Sequence, residues 1–333
     1  MTEVSPHLFV DAVLSYQKTA AIKAAIELDL FTKIGAGAGT AEALAQKTGA
    51  SSRGLRILCD FLTILGFLEK SGETYTQTPS TAKFINSTSP TNMSSIIRFI
   101  AGPEFMRLFL DDPVTYVRDG GTMGLANMAP DNPIWVTFAR SMVPFTAAAA
   151  AGVAAQVTAW TTKPRRVLDI AAGGGMFGIL IAKAVPDAHI TALDWENVLE
   201  VTRENAAREG VAARYQTVAG SAFDADWGSG YDLILMPNFL HHFDHASCVS
   251  LLSKARQRIA PGGRVVVTEF VPNEDRVSPP LPATFAFIML ATTQGGDAFT
   301  ASDLAAMARD AAYRDIAITP LAPSPESMVE FLI

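Results

Sequence analysis

The sequence has little cysteine, no excess of basic charge and no long apolar run. Cys59 and Cys248 are its two cysteines, so a disulfide framework cannot form and a reducing cytoplasm is the expected location. Lysine and arginine total 26 against 33 acidic residues, a net charge of −7 that disfavours nucleic-acid partners. The alanine-rich run 147–155 is too short to span a membrane, and residues 1–6 lack the pattern of a secretory signal. We therefore expect neither a nucleic-acid nor a membrane partner.

A glycine-rich segment is the most informative part of the chain. Residues 166–170 form an apolar run typical of a buried strand, glycines follow, and residues 179–184 have the composition of a helix. Gly173, Gly175 and Gly178 fit G-x-G-x-x-G, a weak match by itself in a chain with 24 glycines. A strand, a tight glycine turn and a helix start together predict a nucleotide-sized pocket, because glycine lets the backbone approach a ligand closely.

Strands and helices alternate after this segment. Further strands are predicted at 190–194, 215–220, 231–236 and 264–269, with closing strands at 316–318 and 328–333. Helices are predicted at 198–209, with a polar face, and at 251–259 and 303–311, the second ended by Pro261-Gly262-Gly263. The alternation indicates an α/β fold with a doubly wound, Rossmann-like parallel sheet, whose ligands bind over the carboxyl ends of the strands.

The N-terminal part follows the element order of a winged helix. Apolar residues at helical spacing over 8–30 precede a short helix at 40–45, a longer one at 53–65, and a hairpin at 67–77. The helix in the recognition position has Arg53 and Arg56 but a mostly apolar face, whereas a DNA reader needs polar side chains and several phosphate contacts. Dimerisation is therefore the favoured role, with DNA binding as the alternative.

Asp169 lies two residues before Ala171 and gives the pattern D-x-A-x-G-x-G, which resembles the first motif of class I S-adenosylmethionine (SAM) methyltransferases. Nearly the whole chain is similar, in order, to the homodimeric small-molecule O-methyltransferases of plants and bacteria. The resemblance implies a winged-helix-like dimerisation domain over 1–105, a helical connector contributing to the substrate pocket over 106–160, and a SAM-dependent methyltransferase domain over 161–333. It also implies S-adenosyl-L-methionine as cofactor and a homodimer.

The resemblance assigns the cofactor residues. An acid at the end of the second strand, Asp194, can accept the ribose hydroxyls, as in nucleotide-binding folds generally. Ala171 replaces a family glycine, and Ser221 replaces an aspartate that the family places near the adenine amino group. The complete predicted cofactor set is Asp169, Ala171, Gly173, Gly175, Asp194, Trp195, Gly220, Ser221, Ala222 and Phe223.

The predicted catalytic residues follow from the segment Asn238–His245. His241 matches the catalytic base of the family, and Glu269 at the end of the fifth strand matches a carboxylate that orients it. His242 replaces a family aspartate, and Ala298 stands where a second carboxylate is expected, with Asp297 adjacent. Three histidines within five residues also permit a metal site, but a structural metal needs more ligands than this segment offers, so no metal is predicted.

Apolar residues at helical spacing are the candidates for the substrate wall. Trp135, Phe138, Met142 and Phe145 share one predicted helical face, which fits core packing as well as a pocket wall. The resemblance favours the wall and adds Met289. The predicted substrate-binding residues are Phe138, Met142, Phe145 and Met289, which suit a flat acceptor.

The sequence therefore predicts methyl transfer from SAM to a hydroxyl of a small aromatic or flat apolar molecule, with His241 as general base. Three alternatives remain. In the first, the enzyme has the same fold but methylates a nitrogen or carbon atom, because His242 and Ala298 depart from the family pattern. In the second, the protein is a NAD-dependent oxidoreductase, as G-x-G-x-x-G allows. In the third, it is a regulator that keeps the winged helix and binds SAM as a ligand.

Overall fold

The structure is a computed structural model that describes residues 4–125 and 128–333. Residues 1–3 and 126–127, which belong to the predicted dimerisation and connector segments, lie outside it. The chain divides into two compact units, one ending at Gly102 and one extending from Pro103 to Ile333. The segment 106–160, predicted as a connector, is part of the second unit.

The first unit consists of helices and one hairpin. Its elements are α1 (His7–Val13), α2 (Ser15–Glu27), α3 (Leu30–Gly35), α4 (Ala41–Thr48), α5 (Ser52–Ile64), β1 (Leu68–Ser71), β2 (Thr74–Gln77), α6 (Pro79–Phe84) and α7 (Ile97–Ile100), with a 3-10 turn at Ser94–Ile96. The Thr40 and Ser51 side chains cap α4 and α5 by accepting backbone N–H bonds. β1 and β2 pair antiparallel, so helices and hairpin follow the predicted winged-helix order.

The helical periodicity predicted over 8–30 is divided into three helices. α1 and α2 separate at Leu14, and α3 begins after Asp29, whose φ of 50° is left-handed and interrupts helical hydrogen bonding. α1 buries none of its side chains. The core of the unit lies among α2–α5 and the hairpin and includes Leu30, Leu44, Leu55, Cys59, Leu62 and Tyr75.

The second unit begins with four helices and continues as an α/β fold. The helices are α8 (Pro103–Leu110), α9 (Pro113–Asp119), α10 (Pro133–Ser141) and α11 (Val143–Ala159). The α/β part comprises β3 (Arg166–Ile170), α12 (Met176–Ala184), β4 (His189–Asp194), α13 (Glu196–Arg208), β5 (Tyr215–Ala219), β6 (Tyr231–Pro237), α14 (His245–Arg258), β7 (Ile259–Glu269), α15 (Pro280–Thr292), α16 (Ala301–Asp310), β8 (Asp315–Pro320) and β9 (Ser327–Leu332), with 3-10 turns at Ala212–Arg214 and Leu240–His242.

Across the described residues, no single helix has the length and apolar character needed to cross a membrane. α10 and α11 meet at a bend of 58° and satisfy the criterion only when taken together, by length and composition alone.

The seven strands form one sheet in the order β5-β4-β3-β6-β7-β9-β8. β5, β4, β3, β6 and β7 are parallel, which confirms the Rossmann-like α/β class. The prediction of a parallel sheet is wrong for one strand, β9, which is antiparallel to both of its neighbours, β7 and β8. Only six residues join β8 to β9, too few for the crossover that a parallel pair requires.

Two element boundaries near the site also differ from the prediction. α14 begins at His245 and not at 251, because the Asp244 side chain caps it by accepting the Ser247 N–H at 2.8 Å. Pro261-Gly262-Gly263 lies within β7, which begins at Ile259, and Ile259 pairs with Tyr231 beside a register shift. A bulge therefore accommodates the residues that were expected to end the helix.

Apolar clusters cover both faces of the sheet. One contains Trp227, Leu251, Leu304 and Phe331, and the other contains Val153, Val157, Phe177 and Leu235. Because the core fills both faces, ligands have access at the edge where β3, β4, β5, β6 and β7 end. Asp169, Asp194, Gly220, His241 and Glu269 all lie at or just beyond these strand ends.

Candidate active site

The glycine turn between β3 and α12 has backbone dihedral angles that residues other than glycine rarely adopt. Ala171, Gly173 and Gly175 have φ values of 53°, 56° and 78°. Glycine takes these values without strain, whereas an alanine in the left-handed region costs roughly 1 kcal/mol. The turn therefore keeps the predicted shape even though Ala171 replaces a family glycine.

Three side chains hold the carbonyl groups of this turn. Thr202 donates its hydroxyl to the Gly173 carbonyl at 2.7 Å, and the Asn205 amide donates to the Gly174 carbonyl at 2.7 Å. The Tyr215 hydroxyl donates to the Gly175 carbonyl at 3.3 Å. Thr202 and Asn205 were missed because α13 was predicted only as a helix with a polar face, and Tyr215 because β5 was predicted only as a strand. The spacing of three between Thr202 and Asn205, which puts two polar residues on one helical face, is the signal that could have identified the first two.

Gly178 lies in the first turn of α12 and touches the strands beneath it. A Cβ there would meet Ile190 Cγ2 at 2.7 Å, the Tyr215 hydroxyl at 2.8 Å and Asp169 Oδ2 at 2.9 Å. Its backbone N–H donates to the same Asp169 oxygen at 3.0 Å. The third glycine of the motif is therefore required for close packing of helix on strand.

We expect Gly178→Ala to destabilise the protein by about 1–3 kcal/mol, because the added methyl overpacks a filled site. We also expect weaker SAM binding, since the methyl displaces the Asp169 carboxyl. Thermal unfolding and calorimetry measure the two effects. Gly54→Ala is the matched control: Gly54 is also third in its helix, but its Cβ would meet only Ser51 Cβ at 3.8 Å. That change should be neutral or stabilise by about 0.5–1 kcal/mol; equal losses in both variants would contradict the packing argument.

Asp169 is fully buried at the end of β3. Its Oδ2 accepts the Gly178 N–H, and its Oδ1 has no hydrogen-bond partner among the described residues. Burial raises the pKa of Asp169 to about 7, the Gly178 N–H lowers it, and the charge of Asp194 raises it further. A buried acceptor without a partner favours a ligand that brings a donor.

Asp194 joins the ends of three strands. Its Oδ2 accepts the Gly173 N–H at 2.8 Å and its Oδ1 accepts the Trp195 N–H at 2.7 Å. Its carbonyl accepts the Gly220 N–H at 3.0 Å. Burial raises the pKa of Asp194 to about 6, against the opposing effect of the Gly173 and Trp195 N–H groups. The structure thus brings together four residues of the predicted cofactor set: Gly173, Asp194, Trp195 and Gly220.

The loop after β5 is held by a lysine that the sequence did not indicate. Lys254 on α14 donates to the carbonyls of Ala222, Phe223 and Ala225 at 3.0, 2.8 and 2.9 Å. Within the loop, the Ser221 hydroxyl accepts the Phe223 N–H at 3.2 Å. The Phe223 ring is 39% exposed and packs edge-on against Phe243, with centroids 5.1 Å apart. An accessible ring in a fixed loop suits contact with a flat heterocycle.

His241 and Glu269 form a buried pair. His241 Nδ1 lies 2.5 Å from Glu269 Oε2, and the two residues are 4% and 1% exposed. The His241 backbone N–H donates to Glu269 Oε1 at 3.3 Å, so the carboxyl holds both the ring and the main chain. Burial lowers the pKa of His241 to about 3 and keeps the imidazole neutral. With Nδ1 bonded to Glu269, Nε2 is the nitrogen left for a ligand.

A chain of aromatic rings extends from His241. Phe285 on α15 packs edge-on against the imidazole with centroids 4.7 Å apart, and it stacks on Phe270 at 4.2 Å. Phe270 in turn lies 6.4 Å from Phe145 on α11. Phe270 and Phe285 were missed, although Phe285 lies one helical turn before the predicted Met289 and on the same face.

The other three residues predicted for the substrate wall lie on two different helices. Met289 is buried on α15. Phe138 and Met142 are half-buried one turn apart at the end of α10, where the Met142 N–H donates to the Phe138 carbonyl at 2.9 Å.

Asp297 does not take the place of the missing second carboxylate. Its side chain pairs with Arg276 at 3.1 Å, and its backbone N–H donates to the His241 carbonyl at 3.1 Å. The neighbouring histidines also diverge: His242 lies beside His241, whereas His245 pairs with Asp310 at 2.8 Å on the surface. Within 4–125 and 128–333, no three histidine, cysteine or acidic side chains converge in a way that could hold a metal ion.

The residues at this edge fit an adenosine cofactor. The backbone of the glycine turn is left-handed at several residues. Asp169 has a buried acceptor oxygen without a partner among the described residues, and Asp194 lies at the end of the neighbouring strand. The histidine–glutamate pair lies at the next strand ends of the same edge. A glycine turn after a strand that carries a buried acid, with a buried histidine–glutamate pair at the same edge, is typical of SAM-dependent methyltransferases.

Comparison with known proteins identifies the family. The model of the O-methyltransferase domain matches residues 121–314, and that of the O-methyltransferase dimerisation domain matches residues 10–87. The chain belongs to the O-methyltransferase family. It is thus a SAM-dependent O-methyltransferase, and its dimerisation domain supports a homodimer.

Individual relatives agree with this assignment. The chain is 26% identical over 318 residues to 3-hydroxy-5-methyl-1-naphthoate 3-O-methyltransferase from Streptomyces sahachiroi, covering 93% of this chain and 90% of that protein. A solved Nostoc punctiforme protein assigned to the O-methyltransferases is 42% identical, with a TM-score of 0.93 and 99% of each chain covered. Human N-acetylserotonin methyltransferase in complex with SAM, 19% identical, shares the fold with a TM-score of 0.83, over 99% of each chain. Family membership removes the NAD-dependent oxidoreductase from consideration.

Proposed function

We propose that this enzyme methylates a hydroxyl group of a small aromatic or flat apolar molecule, with His241 as general base. The observation that carries the proposal is the buried contact of 2.5 Å between His241 Nδ1 and Glu269 Oε2. This contact leaves Nε2 as the free basic atom beside an aromatic wall.

The proton step follows from this pair. When bound, SAM supplies an electrophilic methyl group on its sulfonium. Glu269 accepts the His241 Nδ1–H, orients the ring and stabilises the imidazolium that forms when Nε2 takes the acceptor's hydroxyl proton. The low pKa of His241 keeps Nε2 unprotonated before the step. A base in this position contributes on the order of 10²–10⁴ in rate.

The cofactor would be held by the predicted set of residues at the ends of β3, β4 and β5. Asp194 would accept the ribose hydroxyls, and Asp169 Oδ1 would accept a donor. Phe223 would pack against the adenine, in a loop fixed by Lys254. The support for these roles is the convergence of Gly173, Asp194 and Gly220 through hydrogen bonds of 2.8 and 3.0 Å.

The acceptor would lie against the rings next to His241. Phe145, Phe270 and Phe285 offer flat apolar faces, and we assign Phe138, Met142 and Met289 to the same wall. Aromatic pairs prefer offset or edge-on packing, which favours a planar substrate. The Streptomyces sahachiroi relative, whose name specifies a naphthoate hydroxyl, supports this substrate class.

We expect a panel of SAM acceptors to give S-adenosylhomocysteine with phenols and hydroxylated bicyclic aromatics. Matched anilines and compounds with activated carbons should react at the background rate, because the mechanism removes a hydroxyl proton. NMR of the product formed from methyl-labelled SAM identifies the atom that carries the label. A methyl group on nitrogen or carbon would reject the O-methyl proposal and leave the SAM site intact.

The remaining proposals concern partners and location. We propose a cytoplasmic homodimer with neither a nucleic-acid nor a membrane partner, supported by two buried free cysteines and a net charge of −7. Salt-sensitive binding to DNA or sedimentation with vesicles would count against it.

A further inference from the structure

The main chain of His241 is held by a segment that the proposed mechanism does not use. His241 lies in a 3-10 turn, in which the Phe239 and Leu240 carbonyls accept N–H groups three residues further along at 3.3 and 3.0 Å. The His241 carbonyl instead accepts the Asp297 N–H at 3.1 Å. A segment distant in sequence therefore fixes the carbonyl of the proposed base.

This segment directly follows α15, and we call it the 293–297 turn. Thr293 is buried and donates its hydroxyl to the Met289 carbonyl at 2.7 Å, while the same hydroxyl oxygen accepts the Gly296 N–H at 2.9 Å. The Thr293 N–H also donates to the Met289 carbonyl, at 2.8 Å. One threonine side chain thus ties the 293–297 turn to the helix whose Phe285 ring contacts the imidazole.

Gly296 lies directly against the main chain of the proposed base. A Cβ at this position would overlap the His241 carbonyl oxygen, and it would meet Thr293 Oγ1 at 2.6 Å and the His242 carbonyl carbon at 3.0 Å. Two of these three atoms belong to the backbone and cannot swing aside as the end of a long side chain can. Gly296 does not have a left-handed φ, so the lack of space alone requires a glycine here.

Residues 121–125 support the same turn from a second segment of the chain. The Thr122 N–H donates to the Thr293 carbonyl at 2.8 Å, and the Leu125 N–H donates to the Thr292 carbonyl at 2.9 Å. The 293–297 turn therefore has anchors of its own besides its contact with His241, and it can serve as a fixed support for that residue.

His241 is thus held at three atoms. Glu269 Oε2 lies 2.5 Å from Nδ1, and Glu269 Oε1 accepts the His241 N–H at 3.3 Å, so this carboxyl holds the ring and the peptide group before Cα. The Asp297 N–H holds the peptide group after Cα. This third support comes from the segment in which the resemblance placed a second carboxylate and in which the chain has Ala298.

We propose that Gly296 and Thr293 are positioning residues for methyl transfer: they place the 293–297 turn so that the Asp297 N–H fixes the His241 main chain and aims Nε2 at the acceptor hydroxyl. A general base must stay within hydrogen-bond distance of the proton that it removes. A displacement of about 1 Å can cost on the order of 10²-fold in rate. The effect on the rate rests on the proposed role of His241; the effect on the position of its ring does not.

Gly296→Ala in the full-length protein is the direct test. The added methyl must displace the His241 carbonyl, so kcat should fall by about 10–100-fold. The acceptor KM and the SAM affinity should stay close to those of the parent, because a misplaced base lowers kcat and kcat/KM together. Steady-state kinetics and calorimetry measure these quantities.

Gly263→Ala is the matched control for the packing defect. Gly263 also lies against backbone, since its Cβ would meet the Tyr231 and Ala260 carbonyl oxygens at 2.9 and 3.0 Å, but it is near the start of β7, away from the site. Thermal unfolding should show a lower melting temperature for both alanine variants. Only Gly296→Ala should lower kcat.

Two substitutions of Thr293 separate the role of its hydroxyl from that of its shape. Thr293→Val keeps the shape but leaves the Gly296 N–H without its acceptor, so kcat should fall by about 2–10-fold, the equivalent of one ordinary hydrogen bond. Thr293→Ser keeps the hydroxyl and should retain most of the parent kcat.

Two further readouts distinguish positioning from a general loss of stability. In nitrogen-15 NMR of labelled histidine, with the His241 signals assigned from His241→Gln, the imidazole signals should shift in Gly296→Ala and Thr293→Val. The same signals should stay in place in Thr293→Ser and Gly263→Ala. In a His241→Ala background, Gly296→Ala should cause no further loss of rate, because its effect passes through the imidazole.

The results separate failure of this proposal from failure of the proposed function. Unshifted imidazole signals in Gly296→Ala, or a loss of kcat that Gly263→Ala shares, overturns the positioning role, as does an undiminished loss in the His241→Ala background. If His241→Ala turns over at the parent rate, the general base is wrong, while the imidazole signals still test whether the turn positions the ring. Should Gly296→Ala fail to fold, the two Thr293 variants decide by the same signals, and a serine variant as impaired as the valine variant rejects the proposal.

Discussion

His241→Ala should lower kcat by about 10²–10⁴-fold, while SAM binds with its parent affinity. The imidazole is the proposed general base, and Glu269 holds its Nδ1 at 2.5 Å, which leaves Nε2 to take the proton. Cofactor affinity should be preserved because the cofactor contacts are assigned to the ends of β3, β4 and β5. Single-turnover kinetics with a reactive acceptor and calorimetry with SAM measure the two quantities.

His245→Ala is the matched control. His245 lies four residues away, half-exposed, and its Nε2 pairs with Asp310 at 2.8 Å on the surface. A polar contact at the surface contributes at most about 1 kcal/mol, so this variant should keep the parent rate and fold. Parent-like turnover by His241→Ala, or an equal loss in both variants, would show that His241 is not the base.

Asp194→Asn should weaken SAM binding by about 10–150-fold, the equivalent of losing hydrogen bonds to a charged group worth about 1.5–3 kcal/mol. The carboxylate accepts the N–H groups of Gly173 and Trp195 at 2.8 and 2.7 Å and is proposed to accept the ribose hydroxyls. An amide presents an N–H where an acceptor is required, so it faces at least one backbone donor with the wrong group. Calorimetric titration measures the affinity.

Asp232→Asn provides the matched control for this loss. The Asp232 carboxylate also accepts two backbone N–H groups, those of Arg165 and Arg166 at 2.8 and 2.9 Å, but at the opposite edge of the sheet. Both variants disturb a two-donor aspartate, so the loss of fold stability should be similar. Only Asp194→Asn should change SAM affinity; a Kd that is unchanged there, or equally raised in Asp232→Asn, would remove Asp194 from the cofactor site.

Much of the fold follows from local patterns. The apolar strands, the turn residues and the alternation of β with α are properties of short segments, and the parallel core of the sheet matches them. Predictions failed where a distant contact or a single backbone angle decides. Asp29 divides the N-terminal periodicity, a bulge carries Pro261-Gly262-Gly263 into β7, and a short loop makes β9 antiparallel.

The residues of the candidate site were also predicted from local patterns. Asp169, Asp194, His241 and Glu269 were predicted for the site because each lies at or after a predictable strand or in a recognisable motif. Thr202, Asn205 and Lys254 were not found, because their roles depend on which carbonyl groups the folded backbone places in reach. Phe270 and Phe285 lie far apart in sequence and stack only after β7 and α15 have packed.

The sequence by itself determined the chemistry of this protein: a glycine turn, an acid at each of two strand ends, and a histidine with a glutamate to hold it. These depend on residue type and spacing, which local structure preserves. Only the tertiary structure decided the protonation states. The neutrality of His241 and the raised pKa values of Asp169, Asp194 and Glu269 depend on burial, opposed in the three acids by backbone N–H donors. Desolvation and hydrogen bonding are properties of the packed molecule and not of any one segment.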